Sequence, residues 1–157
     1  LDASTATDQR RLAADMAFIQ AECMSLLSQG HDVLVTTARG PDDPMVARVA
    51  EAIATYRATS SDVNARLGTA LGQLVSDIRR KTKMQRIAIS GGDTSGHALT
   101  QLRADALSAV APLAPGAPLC RVHTRADPAI DGLEVTLKGG QMGQPTFFLE
   151  AKGGPQT

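Results

Sequence analysis

Three times along this chain a short run of β-branched and apolar residues stops at or near glycine. Asp32-Val33-Leu34-Val35-Thr36-Thr37 precedes Arg39-Gly40, Arg86-Ile87-Ala88-Ile89-Ser90 leads directly into Gly91-Gly92, and Leu133-Glu134-Val135-Thr136-Leu137-Lys138 leads directly into Gly139-Gly140. Runs of this length and composition read as strands, the first two buried and the third alternating. The segments between them carry helical spacing. Leu12, Met16, Ile19, Cys23, Leu26 and Leu27 recur at steps of three and four, with Gly30 placed to stop the helix. Val46, Val49, Ala50 and Ile53 begin a second helix. A third, with N-caps on offer at Ser60, Ser61 and Asp62, presents Val63, Leu67, Leu71, Leu74, Val75 and Ile78 as its buried face. Helices alternating with such strands predict an α/β layered sandwich, a largely parallel sheet flanked by helices, with a mixed sheet as the variant.

The rest of the chain punctuates this pattern. Arg39-Gly40-Pro41-Asp42-Asp43-Pro44 is a surface loop, and Leu99 and Leu102 mark a helix after the second strand. The proline-rich stretch Ala111–Pro118 cannot be helical throughout and feeds a short strand from Leu119 to Val122, while Thr146 to Lys152 closes as a short helix. The basic run Arg79-Arg80-Lys81-Thr82-Lys83 ends the third helix, where cations complement the negative end of the dipole. It carries no interleaved aromatic residues for base stacking and reads as a solvated helix end rather than a nucleic-acid patch.

Composition narrows the partners. At 157 residues, with 43% hydrophobic and 20% charged residues, the chain has the make-up of one globular domain. Sixteen basic residues balance sixteen acidic ones, so no global field recruits nucleic acid or an anionic membrane. No apolar run reaches the roughly 18 to 20 residues of a membrane helix. Cys23 and Cys120 form no CxxC pair, which fits a reducing, cytoplasmic setting without disulfides or zinc. His31, His97 and His123 lack metal-ligand spacing, so no metal site is expected from them. The opening Leu1, with no signal segment, reads as part of a longer chain.

Chemistry therefore has to come from local constellations. In open α/β folds ligands lie beyond the carboxyl ends of strands, where both glycine clusters sit, so the two are expected to face one cleft. Gly91-Gly92-Asp93-Thr94-Ser95-Gly96 meets the needs of a phosphate cradle: glycines admit an anion close to the backbone, and the following helix offers N–H groups at its positive end. Thr94 and Ser95 can donate hydroxyls or cap the helix. Asp93 beside a phosphate is repulsive unless a metal, a ribose hydroxyl or an acidic proton lies between them, and a Mg²⁺-nucleotide would reconcile the two. The segment matches neither GxGxxG nor the P-loop pattern, and a tight strand-to-helix turn explains it equally well. In the second cluster, Lys138 offers a point charge and Gly139, Gly140 and Gly143 allow close approach, against the alternative of a turn with a snorkelling lysine. No nucleophile elbow is present, and no catalytic residue is assigned.

The order of these motifs, Gly91-Gly92-Asp93-Thr94-Ser95-Gly96, then Ala114-Pro115-Gly116-Ala117-Pro118-Leu119-Cys120-Arg121, then Leu137-Lys138-Gly139-Gly140-Gln141-Met142-Gly143 followed by Phe147-Phe148, resembles the C-terminal nucleotide-binding domain of the four-carbon acid sugar kinases. That family includes 3-oxo-tetronate, D-threonate and D-erythronate kinases, some labelled Hrp-dependent type III effectors. The resemblance implies an ATP-dependent kinase acting on a terminal hydroxyl of a small sugar acid, with Mg²⁺ and ATP as cofactors. It implies that residues 1–157 form the ATP-binding half, with Gly91 to Ser95 on one side of the nucleotide and Gly140 and Gly143 on the other. The acid-binding N-terminal domain is not among these residues, so the chain is expected to bind Mg·ATP without phosphorylating a sugar acid alone. The commoner family form of the second motif is Lys-Ser-Gly-Asn-Phe-Gly; Gly139, Gln141 and Met142 depart from it and leave the acid unspecified. A non-catalytic nucleotide- or phosphate-binding module, or an interaction module in which both clusters are turns, stands as the alternative, and homo-oligomerisation is left open.

Overall fold

The computed structural model describes residues 1–40, 42–139 and 144–153. They form two compact units, Leu1–Ala70 and Leu71 onward. In the first, a 3-10 turn over Ala3–Thr7 leads into α1 (Gln9–Ser28), α2 (Pro44–Tyr56) and the beginning of α3 (Ser60–Lys81). Each start has a chemical reason. The Asp8 carboxylate accepts the Arg10 and Arg11 N–H groups, and the Asp43 carboxylate accepts the Met45 N–H with Pro44 in the first turn. Ahead of α3 the cap is Thr59 rather than the serines and aspartate after it: its hydroxyl accepts the Asp62 N–H at 3.0 Å and donates to the Asp62 carboxylate at 2.7 Å. Gly30, at φ +82°, ends α1 as expected: its N–H bonds the Leu27 carbonyl while the His31 N–H bonds that of Leu26. Ala3, Ala6, Leu12, Val63 and Leu67 make the core of this unit.

The run 32–37 departs from expectation. It forms no strand; its residues alternate between exposed and half-buried, and Leu34 is 64% exposed. A β-branched run has the propensity for a strand, but a strand exists only when a neighbour accepts its backbone bonds.

The second unit holds the sheet: β1 (Arg86–Ser90), α4 (Gly92–Gln101), β2 (Ala106–Ala114), β3 (Ala117–His123), β4 (Glu134–Lys138) and α5 (Phe147–Gly153), with strand order β1-β4-β3-β2. The α/β layered class is realised with a mixed sheet: β1 and β4 are parallel, while β3 runs antiparallel to both its neighbours. β2 is absent from the sequence reading, because Ala106–Ala114 is alanine-rich and carries Pro112. What makes it a strand is the hairpin with β3, turned at Pro115-Gly116 where Gly116 has φ +74°. One face of the sheet buries Ile87, Val122, Leu133 and Val135 with Leu102 and Ile130, each such side chain contributing about 1.5–3 kcal/mol. Towards the other face lies an in-register row, Arg86–Glu134–Arg121, with Arg86 2.7 Å from the Glu134 carboxylate and also donating to the Ala151 carbonyl of α5.

Two contacts fix the helices of this unit. At Gly72 of α3 an added Cβ would meet the Ala98 Cα at 2.7 Å, so only glycine permits α4 to lie this close. The end of α3 is also less solvated than its charge suggests: Arg79 donates to the carbonyls of Met84 and Ala129, and Arg80 pairs with Asp127 at 2.6 Å. On α3 itself Val63, Leu67, Leu74 and Ile78 are buried as expected, while Leu71 and Val75 are half-buried.

Candidate functional site

The site assembles at the carboxyl ends of the parallel pair. Ser90 ends β1 directly opposite Lys138, which ends β4. The Gly91 N–H donates to the Lys138 carbonyl at 2.9 Å, so the pairing runs one residue past the strand. Gly91 then turns the chain at φ +121°, ψ +125°, a conformation that L side chains rarely adopt, and α4 begins at Gly92. The glycine-rich segment is therefore not a loop. It is a single linking residue followed by the first turn and a half of a helix.

That helix start has the attributes of an anion cradle. Its N-cap is glycine and receives no side-chain hydrogen bond; helix geometry leaves the first-turn N–H groups without acceptors inside the helix, at the positive end of the dipole. Among the described residues, a Cβ built on Gly92 meets nothing within 4 Å, and the same holds at Gly96, so the glycines leave the backbone open to approach there. Asp93 is exposed in this first turn, where the dipole favours a carboxylate. The two hydroxyls diverge. Ser95 is buried and donates to the Gly91 carbonyl at 2.6 Å, holding the link to the helix. Thr94 is half-buried, and its Oγ1 lies 3.2 Å from where a Cβ on Gly91 would stand.

The described part of the second cluster, Lys138 and Gly139, lies beside the first. The Lys138 ammonium lies 3.4 Å from the Ser90 hydroxyl, 3.3 Å from the Gly139 carbonyl and 5.9 Å from the centre of the Phe147 ring. Gly140 and Gly143 lie outside the described residues. Spacing alone does not bring Phe147 to the lysine; the contact depends on where α5 packs. Phe147 is 1% exposed, and Phe148 meets it edge-on with ring centres 5.4 Å apart.

Other candidates stand apart in role. His97 is half-buried on α4, His31 and His123 are exposed, and His123 Nε2 lies 2.7 Å from the Ser108 hydroxyl. Cys23 is buried, and that burial pushes its thiol up. Cys120 is half-buried with its sulfur 3.8 Å from the Pro118 carbonyl. Among the described residues no three His, Cys, Asp or Glu side chains gather to hold a metal ion, and no helix is long and apolar enough to cross a membrane.

A family model described as the nucleotide-binding C-terminal domain matches residues 1–148. The chain belongs to this family. Among curated proteins this nucleotide-binding domain is similar to 3-oxo-isoapionate kinase of Paraburkholderia graminis, 38% identical over 148 residues, covering 94% of the chain and 31% of the kinase. A Haemophilus influenzae crystal structure of the DUF1537 family superposes with a TM-score of 0.73 at 18% identity, over 98% of the chain and 33% of that protein. A Bordetella bronchiseptica DUF1537 structure, described as a citrate-bound domain-swapped dimer, gives 0.60 at 21% identity over 94% of the chain and 31% of that protein. The domain thus spans about a third of the length of the relatives it matches.

Proposed function

We propose that residues 1–157 are the nucleotide-binding part of a kinase that phosphorylates a terminal hydroxyl of a four-carbon sugar acid, the acid being held by a domain outside this chain. The observation that carries the reading is the meeting of three features at one sheet end: an uncapped helix start, a glycine whose missing Cβ leaves open space, and a lysine ammonium beside them. The family and the similarity to 3-oxo-isoapionate kinase support it.

The residues fit the nucleotide's polyphosphate. The first-turn N–H groups of α4 would receive phosphate oxygens, Gly92 would let the backbone come close, and Lys138 would balance charge as a point cation. Gly91 sets the direction of the helix start, and Ser95 locks it. Magnesium ordinarily takes only one or two carboxylates, filling its other positions with phosphate oxygens and water, so Asp93 suffices as the protein's share. Bound Mg·ATP supplies the phosphoryl group and the metal charge that offsets its transfer. Gly91 to Gly96, Lys138 and Gly139 are the binding residues in this reading, joined by Gly140 and Gly143 from the resemblance.

Calorimetric titration with a non-hydrolysable ATP analogue, with and without Mg²⁺, tests it. Binding should require Mg²⁺ for full affinity and should fall at least tenfold in Gly92→Val, whose added side chain meets none of the described residues within 4 Å of its Cβ. Equal affinity in the parent and the variant would reduce the glycines to turn residues. Sugar-acid-dependent ADP release by the chain alone would overturn the division of labour between domains.

A further inference from the structure

Resting on the nucleotide-binding reading, we propose that Phe147 is a positioning residue: its buried ring holds the Lys138 ammonium at the carboxyl end of β4, set for the phosphates. Lysine is a poor fixed charge by itself, because four rotatable bonds separate the ammonium from the backbone and its ordering costs entropy. The ammonium's neighbours among the described residues include three groups. The Ser90 hydroxyl is brought by strand register, the Gly139 carbonyl by the chain itself, and the Phe147 ring by α5. The two oxygen contacts are long for hydrogen bonds, at 3.4 and 3.3 Å.

The ring differs from both. At 1% exposure it cannot move aside, and Phe148 packs edge-on against it. A cation within about 6 Å of a ring centre is attracted by the negative π-face, and the ammonium stands at 5.9 Å. Leucine would fill the same core position and bury comparable apolar area, but it would offer the lysine no electrostatic attraction. An aromatic residue under the ammonium shortens its search among rotamers before the nucleotide arrives. Affinity gained in this way comes from preorganisation and needs no contact between Phe147 and the ligand.

Replacing Phe147 by 4-fluoro- and then pentafluorophenylalanine withdraws the π-charge while nearly preserving shape, and the milder first step guards against misfolding. The readouts are the Kd for the Mg²⁺-bound ATP analogue, the thermal midpoint, and the ε-CH₂ proton shifts in the ¹³C-lysine-labelled chain, with Lys138 assigned through Lys138→Ala. The Lys138 signal should lie upfield of the other lysines through the ring current. Affinity should weaken stepwise, to about two- to fivefold overall, with the midpoint held. In a Lys138→Ala background, fluorination should change affinity no further. A Kd that Lys138→Ala weakens but fluorination leaves flat, or a Lys138 signal among the ordinary lysines, overturns the positioning role. If Lys138→Ala binds as tightly as the parent, or the parent chain does not bind, the nucleotide-binding reading of the lysine fails instead, and the inference with it.

Discussion

The runs at 33–37 and 86–90 look alike as sequence and end differently as structure. Both are short and built on valine, isoleucine, leucine and threonine or serine, and both follow a helix ended by a turn. The second pairs with β4 over five residues in parallel register, from Arg86↔Glu134 to Ser90↔Lys138, and buries Ile87. The first belongs to no strand, and leaves Leu34 in solvent. Propensity is local and the same in both; the ladder that turns propensity into a strand comes from residues almost fifty positions away.

The sharpest way to break this comparison is to truncate one side chain in each run. Ile87→Ala should cost about 2–5 kcal/mol of unfolding free energy in chemical denaturation, the usual range for a truncation that leaves a core cavity, whereas Leu34→Ala should stay within about 0.5 kcal/mol. Equal losses would mean that 33–37 is as deeply held as β1. A finer division lies at the next two residues. Gly91→Ala forces a side chain into a φ of +121° against Thr94, and should lose about 1–3 kcal/mol. Gly92→Ala meets open space in a helical position and should leave the thermal midpoint unchanged or slightly raised. If the two variants melt together, the special conformation at Gly91 does not hold the turn.

The smallest effect concerns the loop before β4. Burial pushes the Asp127 carboxyl up, but the Arg80 guanidinium and the Ala129 N–H outweigh it and leave the group below the usual carboxylate range. A carboxylate lowered by folding stabilises above the pKa of the unfolded chain, near ~3.9, and loses that contribution as pH falls through the lower folded value. Asp127→Asn should therefore cost less than about 1 kcal/mol at neutral pH, because the Arg80 side chain is 42% exposed and water screens the pair. The gap between parent and variant should close below about pH 4 in acid titrations followed by circular dichroism. A gap that persists at pH 2 would assign the effect to shape rather than charge.

What the sequence made legible follows the same division. β1, β4 and α5 could be read because each carries its own pattern of burial, and the first glycine cluster could be read because glycine serves where the backbone bends at Gly91 and stands open at Gly92. β2 could not: its residues favour no strand, and only the Pro115-Gly116 dipeptide between two extended runs pointed to a hairpin. Within the site, residue types were legible and their division of labour was not. Nothing in the spacing says that Gly91 bends while Gly92 leaves space, that Ser95 turns inward to the Gly91 carbonyl, or that an aromatic ring nine residues beyond Lys138 comes to lie against its ammonium. Each depends on the packing of α4 or α5, which is a tertiary fact.

The single-residue passage from β1 to α4 leaves no slack for insertions or deletions. One extra amino acid between Ser90 and Gly92 would have to bulge outward or turn α4 by about 100° about its own axis, carrying the helix away from its seat at Gly72. The Pro115-Gly116 turn meets no such demand, since a longer hairpin tip adds residues without rotating either strand's register. Length variation among related chains should therefore collect at 115–116 and be missing at 90–92, a pattern set by helix geometry alone.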